Sequence, residues 1–207
     1  MNGDSPFAGP PEDTREEILR AAFLVLQRDG YAGLSMNRIA EEVGLQKASV
    51  YHHYAEKDTL LLALVDYVVE ELRYRIVQPD DEDPRQQLRR FIDEVVFGHH
   101  AGPDATALSP PTDGTIRAFI QIRAQAVHDD DYREQITTID RIQQEHIAEI
   151  IQRGVDAGEF RDVDPTQVAS FISTLLTGVF TRRVTMTTDL TPVREATHAY
   201  LEAVLVA

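Results

Sequence analysis

The chain has no cysteine among its 207 residues. That excludes disulfides, thiolate metal sites and a cysteine nucleophile. Lysine is nearly missing too: of the 20 basic residues, only Lys47 and Lys57 are not arginine. No apolar run approaches the roughly 18 residues needed to cross a bilayer. The opening "MNGDSPFAGPPED" is acidic and broken by prolines, unlike a signal or transit peptide. A soluble cytoplasmic protein with no membrane partner is the expectation. The seven histidines and many carboxylates permit acid–base chemistry, yet there is no Gly-rich phosphate loop, nucleophile elbow or HExxH spacing. Neither an enzyme, a cofactor nor a metal is expected.

What is abundant is acid: 35 Asp and Glu give a formal net charge of −15. Lysine depletion with excess carboxylate suggests adaptation to high salt, where charge far from zero keeps a protein soluble. An ordinary acidic cytosolic protein is the rival reading. Taken alone, the charge argues against nucleic acid, since DNA-binding domains carry basic surfaces. Local charge has to decide.

Nearly everything between the turns has helical period, with no repeat and no convincing strand, so the fold expected is all-α with about nine helices. Residues 1–11 read as a disordered tail. In "EDTREEILRAAFLVLQRDGY", Ile18, Ala22, Val25 and Leu26 share a face, and Gly30 is the expected stop. In "LSMNRIAEEVG", Ser35 is a good N-cap and Gly44 suits a left-handed turn. A third short helix follows over about 46–54 with Val50 and Tyr54 inward, then a long apolar fourth. A fifth helix carries the stripe Leu88, Phe91, Ile92, Val95 and His99, and "AGPDATALSPPTDG" at 101–114 is the one long irregular insertion. Four more helices are expected over about 115–128, 131–157, 165–187 and 191–205. The last two follow Asp164-Pro165 and Thr191-Pro192, each read as an N-cap with Pro at N1.

Two short helices joined by a tight glycine turn, packed on a longer first one, make a helix-turn-helix. In that geometry the second helix of the pair enters the major groove, and its leading residues meet base edges. Here those are Lys47, Ala48 and Ser49: Lys donates to guanine O6 and N7, Ser serves several partners, Ala touches a thymine methyl. Tyr51, His53 and Lys57 follow at spacings suited to phosphates. Between Ser35 and Lys57, Arg38, Lys47 and Lys57 balance Glu41, Glu42 and Glu56, a relatively positive patch in an acidic chain. An ordinary solvated face is the alternative that spacing alone leaves open.

Residues 14–65, "TREEILRAAFLVLQRDGYAGLSMNRIAEEVGLQKASVYHHYAEKDTLLLALV", closely resemble the DNA-binding domain of the TetR (tetracycline repressor) family. The resemblance lies in the helix followed by "GY", the capped "SxxxIAExxG" helix and the tail "KASVYHHYxxKDxL". Later, "IIQRGVDAGEFRDVDPTQVASFISTLLTG" is similar to the family's entry into its dimer-forming helices. The resemblance implies that Asn37, Lys47, Ala48 and Ser49 read bases, while Ser35, Arg38, Tyr51, His53 and Lys57 hold the backbone. Two departures are Gln46, a poor N-cap where a small hydroxylic residue is common, and Met36 where Thr is common.

It also implies a helix-turn-helix domain over 12–57 and a helical effector-binding and dimerisation domain over 58–207. A homodimer would then meet a pseudo-palindromic double-stranded operator and respond to a small-molecule effector, most simply as a repressor. Phe171, Leu175, Gly178 and Val179, with Tyr200, Leu201 and Val204, are the dimer candidates; small residues on the eighth helix permit close approach. Phe91, Val95, His99, Phe119, Arg123 and His146 are the effector-pocket candidates. Arg123 on an apolar stripe could meet an acidic effector or a buried carboxylate. A metal between His99, His100, His128 and His146 lacks supporting spacing. The rival functions are a helical interaction module with a vestigial reader and a small helical enzyme.

Overall fold

The computed structural model describes residues 7, 9–76, 83–98 and 111–206. Among them are nine α-helices and no strand: α1 (Thr14–Gly33), α2 (Met36–Val43), α3 (Lys47–His53), α4 (Lys57–Ile76), α5 (Pro84–Arg90), α6 (Asp113–Gln125), α7 (Asp130–Asp156), α8 (Pro165–Thr185) and α9 (Thr191–Leu205). The chain divides into two compact units, Met1–Tyr74 with Asp113–Ile139, and Arg75–Thr112 with Asp140–Ala207. The sequence places a boundary at 57/58; the compact unit that holds α1–α3 also holds α6 and α4 as far as Tyr74.

In the first unit α1 starts where Asp13 accepts the Glu16 N–H at 2.9 Å, with Glu16 and Glu17 against the positive end of the dipole. Ile18, Ala22, Val25 and Leu26 are fully buried, as their spacing predicts. Gly30 breaks the regular helix, as expected, and a short helical turn follows it. The path breaks there at φ 70°, ψ 178° and resumes to Gly33. Gln121 of α6 fills the break, its amide oxygen accepting the Tyr31 N–H at 2.5 Å. A Cβ at position 30 would sit 3.1 Å from Gln121 Nε2, so both the backbone angle and the close approach call for glycine. Within the stretch read as a tail, Phe7 is buried, its ring 5.1 Å from Phe23 and 4.8 Å from Tyr67.

In the second unit α5 runs without interruption into a π-helical stretch, Phe91–Val96, where the Phe97 N–H reaches back to the Ile92 carbonyl at 3.1 Å. The wider turn shifts the apolar stripe. Leu88 and Ile92 stay inside as expected, but Val96 and Phe97 are buried next while Val95 is only half-buried. Asp93 faces α9, its Oδ1 accepting from Arg194 Nε at 2.6 Å and lying 2.7 Å from His198 Nε2. Burial alone would raise this carboxyl's pKa; the hydrogen bonds from Arg194 and His198 outweigh that and hold it below the usual range. Asp164 caps α8 as expected, accepting from Thr166 and Gln167 N–H groups. Thr191 is not the cap of α9: it is already helical, and Asp189 accepts its N–H at 2.9 Å.

The close of α7 rests on Gly154, whose carbonyl accepts from Glu159 and Phe160 N–H groups while the Phe160 ring lies over the missing side chain. An alanine methyl there would overlap the Phe160 ring, and Phe160 is buried. Gly154→Ala is expected to destabilise the protein by about 1–3 kcal/mol through overpacking. Thermal unfolding should show a midpoint lower by roughly 3–10 °C at this chain length; an unchanged midpoint would mean the ring moves aside freely.

Candidate nucleic-acid interface

The reader is built by local rules. Ser35 caps α2, its hydroxyl accepting the Arg38 N–H at 3.4 Å, and Ile39 and Ala40 bury the inner face. Gly44 takes φ 77°, ψ 24°, and the Leu45 N–H reaches the Ala40 carbonyl at 2.9 Å, the bond that closes a left-handed helix stop. The chain can therefore turn at once into α3. Gln46 precedes α3 without a side-chain cap, as its residue type predicts. Val50 and Tyr54, 0% and 2% exposed, bind α3 to the unit's core, and the Arg15 guanidinium lies 5.2 Å from the Tyr54 ring centroid.

With those two residues fixed inward, Lys47, Ala48, Tyr51 and His52 face outward together, at i, i+1, i+4 and i+5. Tyr51 is 43% exposed, and Lys47 Nζ sits 5.5 Å from its ring centroid. That cation–π contact holds the ammonium over the helix's outer face. Ser49 and His53 are half-buried on the flank, and Asn37 is exposed on α2. His52 shares this outward face, although residue type and resemblance both passed over it. The signal was available: once Val50 and Tyr54 are taken as inward, helical geometry puts His52 beside Ala48.

Two expected backbone contacts are engaged elsewhere. Lys57 Nζ donates to the Tyr31 carbonyl at 3.0 Å and lies 3.9 Å from the Tyr31 ring centroid. It satisfies a carbonyl left open near the end of α1, and partial burial lowers its pKa. Arg38 pairs with Asp29 at 2.9 Å, while Arg28 bridges Asp29 and Glu42. These ions lace the end of α1 to α2 and leave Lys47 as the lysine on the outer face.

The remaining candidates fall in different places. Phe119 and Arg123 are half-buried in the first unit, the guanidinium 5.8 Å from the Phe119 centroid. Phe91, Val95 and His146 are half-buried in the second. His99 and most of the 101–114 insertion lie outside the described residues. No group of three or more His, Asp or Glu among the described residues is placed to hold a metal. Of the dimer candidates, Phe171 and Tyr200 are 41% and 42% exposed, their centroids 4.6 Å apart. Gly178 is exposed, and Leu175 and Val204 are half-buried. Val179 and Leu201 are 1% and 7% exposed; they belong to the chain's own core and cannot present themselves to a mate.

Comparison with known proteins follows this anatomy. Residues 18–64 match the model described as bacterial regulatory proteins, tetR family, and residues 84–206 match BetI-type transcriptional repressor, C-terminal. A TetR transcription regulator from Haloarcula marismortui is 30% identical with TM-score 0.77, covering 92% of this chain and 97% of that one. A transcriptional regulator from Saccharomonospora viridis, solved in complex with choline, shares the fold at 22% identity and TM-score 0.73, covering 93% and 97%. The HTH-type transcriptional regulator BetI of Stenotrophomonas maltophilia is 36% identical over 93 residues, 42% of this chain and about half, 46%, of that protein. With both halves of the chain matched and α3 built to offer Lys47 and Tyr51, this protein belongs to the TetR family of DNA-binding regulatory proteins.

Proposed function

We propose that the protein is a homodimeric, effector-released transcriptional repressor of the cytoplasm. The observation that carries the reading is the outward face of α3, where Lys47, Ala48, Tyr51 and His52 stand clear of the core. Two copies related by a two-fold axis would offer that face to successive major grooves of a pseudo-palindrome, roughly 34 Å apart. The exposed Phe171–Tyr200 patch supports pairing through α8 and α9. A ligand favouring a conformer with the α3 helices wrongly spaced weakens operator binding by its differential affinity. The Gln121 bond into the broken end of α1 gives α6 direct purchase on the reader. The choline-bound relative makes a small cation a reasonable effector class. The reading assigns no catalytic step.

The test is gel shift with the DNA upstream of the protein's own gene. Specific retardation of one fragment, relieved by a metabolite extract, supports the reading; no retardation with any genomic fragment points instead to a helical interaction module.

Charge adds a second expectation. At −15 the folded chain repels itself, and near 1 M salt the Debye length falls to about 3 Å. If the acidity is a high-salt adaptation, the thermal midpoint rises by several degrees between dilute and molar KCl. Operator binding also persists there, through base-edge contacts rather than counterion release. A midpoint that stays flat or falls identifies an ordinary acidic protein.

A further inference from the structure

Asp29, beside the break in α1, pairs with two arginines through one oxygen: Arg38 Nη1 of α2 at 2.9 Å and Arg28 Nη2 at 3.2 Å. Arg28 reaches on to Glu42 at 2.9 Å. Together with Glu41 these residues line an open groove of about 300 Å³. The Asp29–Arg38 pair has a seat. A Cβ at Gly33 would lie 2.6 Å from Asp29 Cβ and 3.1 Å from Arg38 Nη1, so glycine there leaves the space in which the two meet. The hydrogen bond from Arg28 is the largest effect on the Asp29 carboxyl, which is held below the usual range and is a full negative charge at neutral pH.

Arg38 is nonetheless half exposed, and exposed ion pairs are cheap to break. In a helix-turn-helix the first helix of the pair crosses the phosphate backbone, and here that helix is α2. Arg38 is the only cation on α2, so it is the group that a phosphate would claim. A cation that meets DNA normally releases a condensed counterion, which adds about 0.9 per contact to the salt slope. Arg38 comes to the duplex already neutralised by Asp29. When it passes to a phosphate, the DNA gives up a cation. The groove, left with Arg28 among the carboxylates of Asp29, Glu41 and Glu42, takes one up.

We propose that Asp29 is a phosphate mimic that holds Arg38 until DNA displaces it, and that this exchange flattens the salt dependence of DNA binding. This rests on the reading of the protein as a DNA-binding regulator. Asp29 touches no DNA in this role; it is a positioning residue that sets when Arg38 does. The exchange lowers affinity most in dilute salt, where the intramolecular pair is strongest. It costs least in concentrated salt, where screening has already weakened that pair. An acidic chain thereby gives up less of its grip on DNA as salt rises.

Fluorescence anisotropy of the full-length protein with a mixed-sequence duplex over a KCl series tests this, since a phosphate contact is independent of sequence. Asp29→Asn is expected to bind severalfold more tightly than wild type in dilute KCl. Its salt slope should be steeper by about 2 for the dimer, about 0.9 from each protomer. Glu41→Gln removes the same charge from the same groove, and Glu41 makes no ion pair among the described residues; its slope should move by less than half as much. Adding Arg38→Gln to Asp29→Asn should abolish the steepening. An unchanged slope in Asp29→Asn, an equal steepening in Glu41→Gln, or a steepening that survives the loss of Arg38 overturns the proposal. If Asp29→Asn loses helical content, Arg38→Gln decides alone. Weaker binding at an unchanged slope then supports the exchange; undiminished affinity, or a slope shallower by about 2, overturns it. Those outcomes leave the regulator reading standing, whereas a wild type that binds no duplex at all sinks both.

Discussion

Replacing Lys47 with alanine is expected to cost the dimer about 2–6 kcal/mol of specific operator affinity, since a good base contact is worth about 1–3 kcal/mol and each dimer loses two. Adding Tyr51→Ala should reduce retention to the non-specific background. The structure explains why these two act together: Lys47 Nζ lies over the Tyr51 ring at 5.5 Å, so the tyrosine positions the ammonium as well as offering its own hydroxyl. The single substitutions should behave differently. Lys47→Ala relaxes preference at one base pair per half-site and leaves the salt slope nearly unchanged. Tyr51→Ala weakens binding to all sequences alike, as loss of a backbone contact does. Fluorescence anisotropy against an operator and its single-base variants, repeated over a salt series, reads both effects. If Lys47→Ala instead lowers the salt slope by about 2 for the dimer with sequence preference intact, Lys47 is a phosphate contact. Val50 and Tyr54 hold α3 from its opposite face, so both variants should keep the wild-type melting midpoint.

Much of this reader was legible because its signals are local. Ser35, Gly44 and the Val50–Tyr54 pair act within one turn of themselves, and the structure uses each as its residue type predicts. What was not legible depended on residues far away in sequence. Lys57 is claimed by Tyr31, 26 residues earlier, and Arg38 by Asp29; spacing along a helix shows that a cation could reach a phosphate, not that a carbonyl or carboxylate has it already. Gly30 carries the mark of a helix stop, and the break becomes a socket for Gln121, 90 residues beyond Tyr31 in the chain. The π stretch escaped for a different reason. Reading by a 3.6-residue period assumes the α geometry, so it put Val95 inside where the wider turn puts Val96. At the start of α9, Asp189 took a capping role assigned to Thr191 because both are competent caps two residues apart. In each case residue type gave the capability and packing chose its use.

The apolar stripes of α8 and α9 show the same limit and lead to the second large effect. From sequence, Phe171, Val179, Tyr200 and Leu201 are equally apolar; in the fold, Val179 and Leu201 are core while Phe171 and Tyr200 remain about two-fifths exposed. Large aromatics left at the surface beside the exposed Gly178, Ala196, Ala199 and Ala203 are what a close-packed isologous contact needs. Burying the remaining surface of each ring is worth roughly 1 kcal/mol, and two-fold symmetry gives four rings, about 4 kcal/mol in all. Phe171→Glu with Tyr200→Glu removes that term and brings like charges together across the axis in a chain already at −15. The dimer dissociation constant should rise by about three orders of magnitude or more, since each 1.4 kcal/mol is tenfold. Light scattering at micromolar concentration is expected to find a monomer with wild-type helical content, because neither ring is needed to fill the protomer's own core. Operator affinity should fall with it, for a single α3 reads only one half-site. A double variant that remains dimeric would place the partner on another face of the molecule, and a wild-type protein that is itself monomeric would remove the two-fold arrangement on which the proposed operator spacing depends.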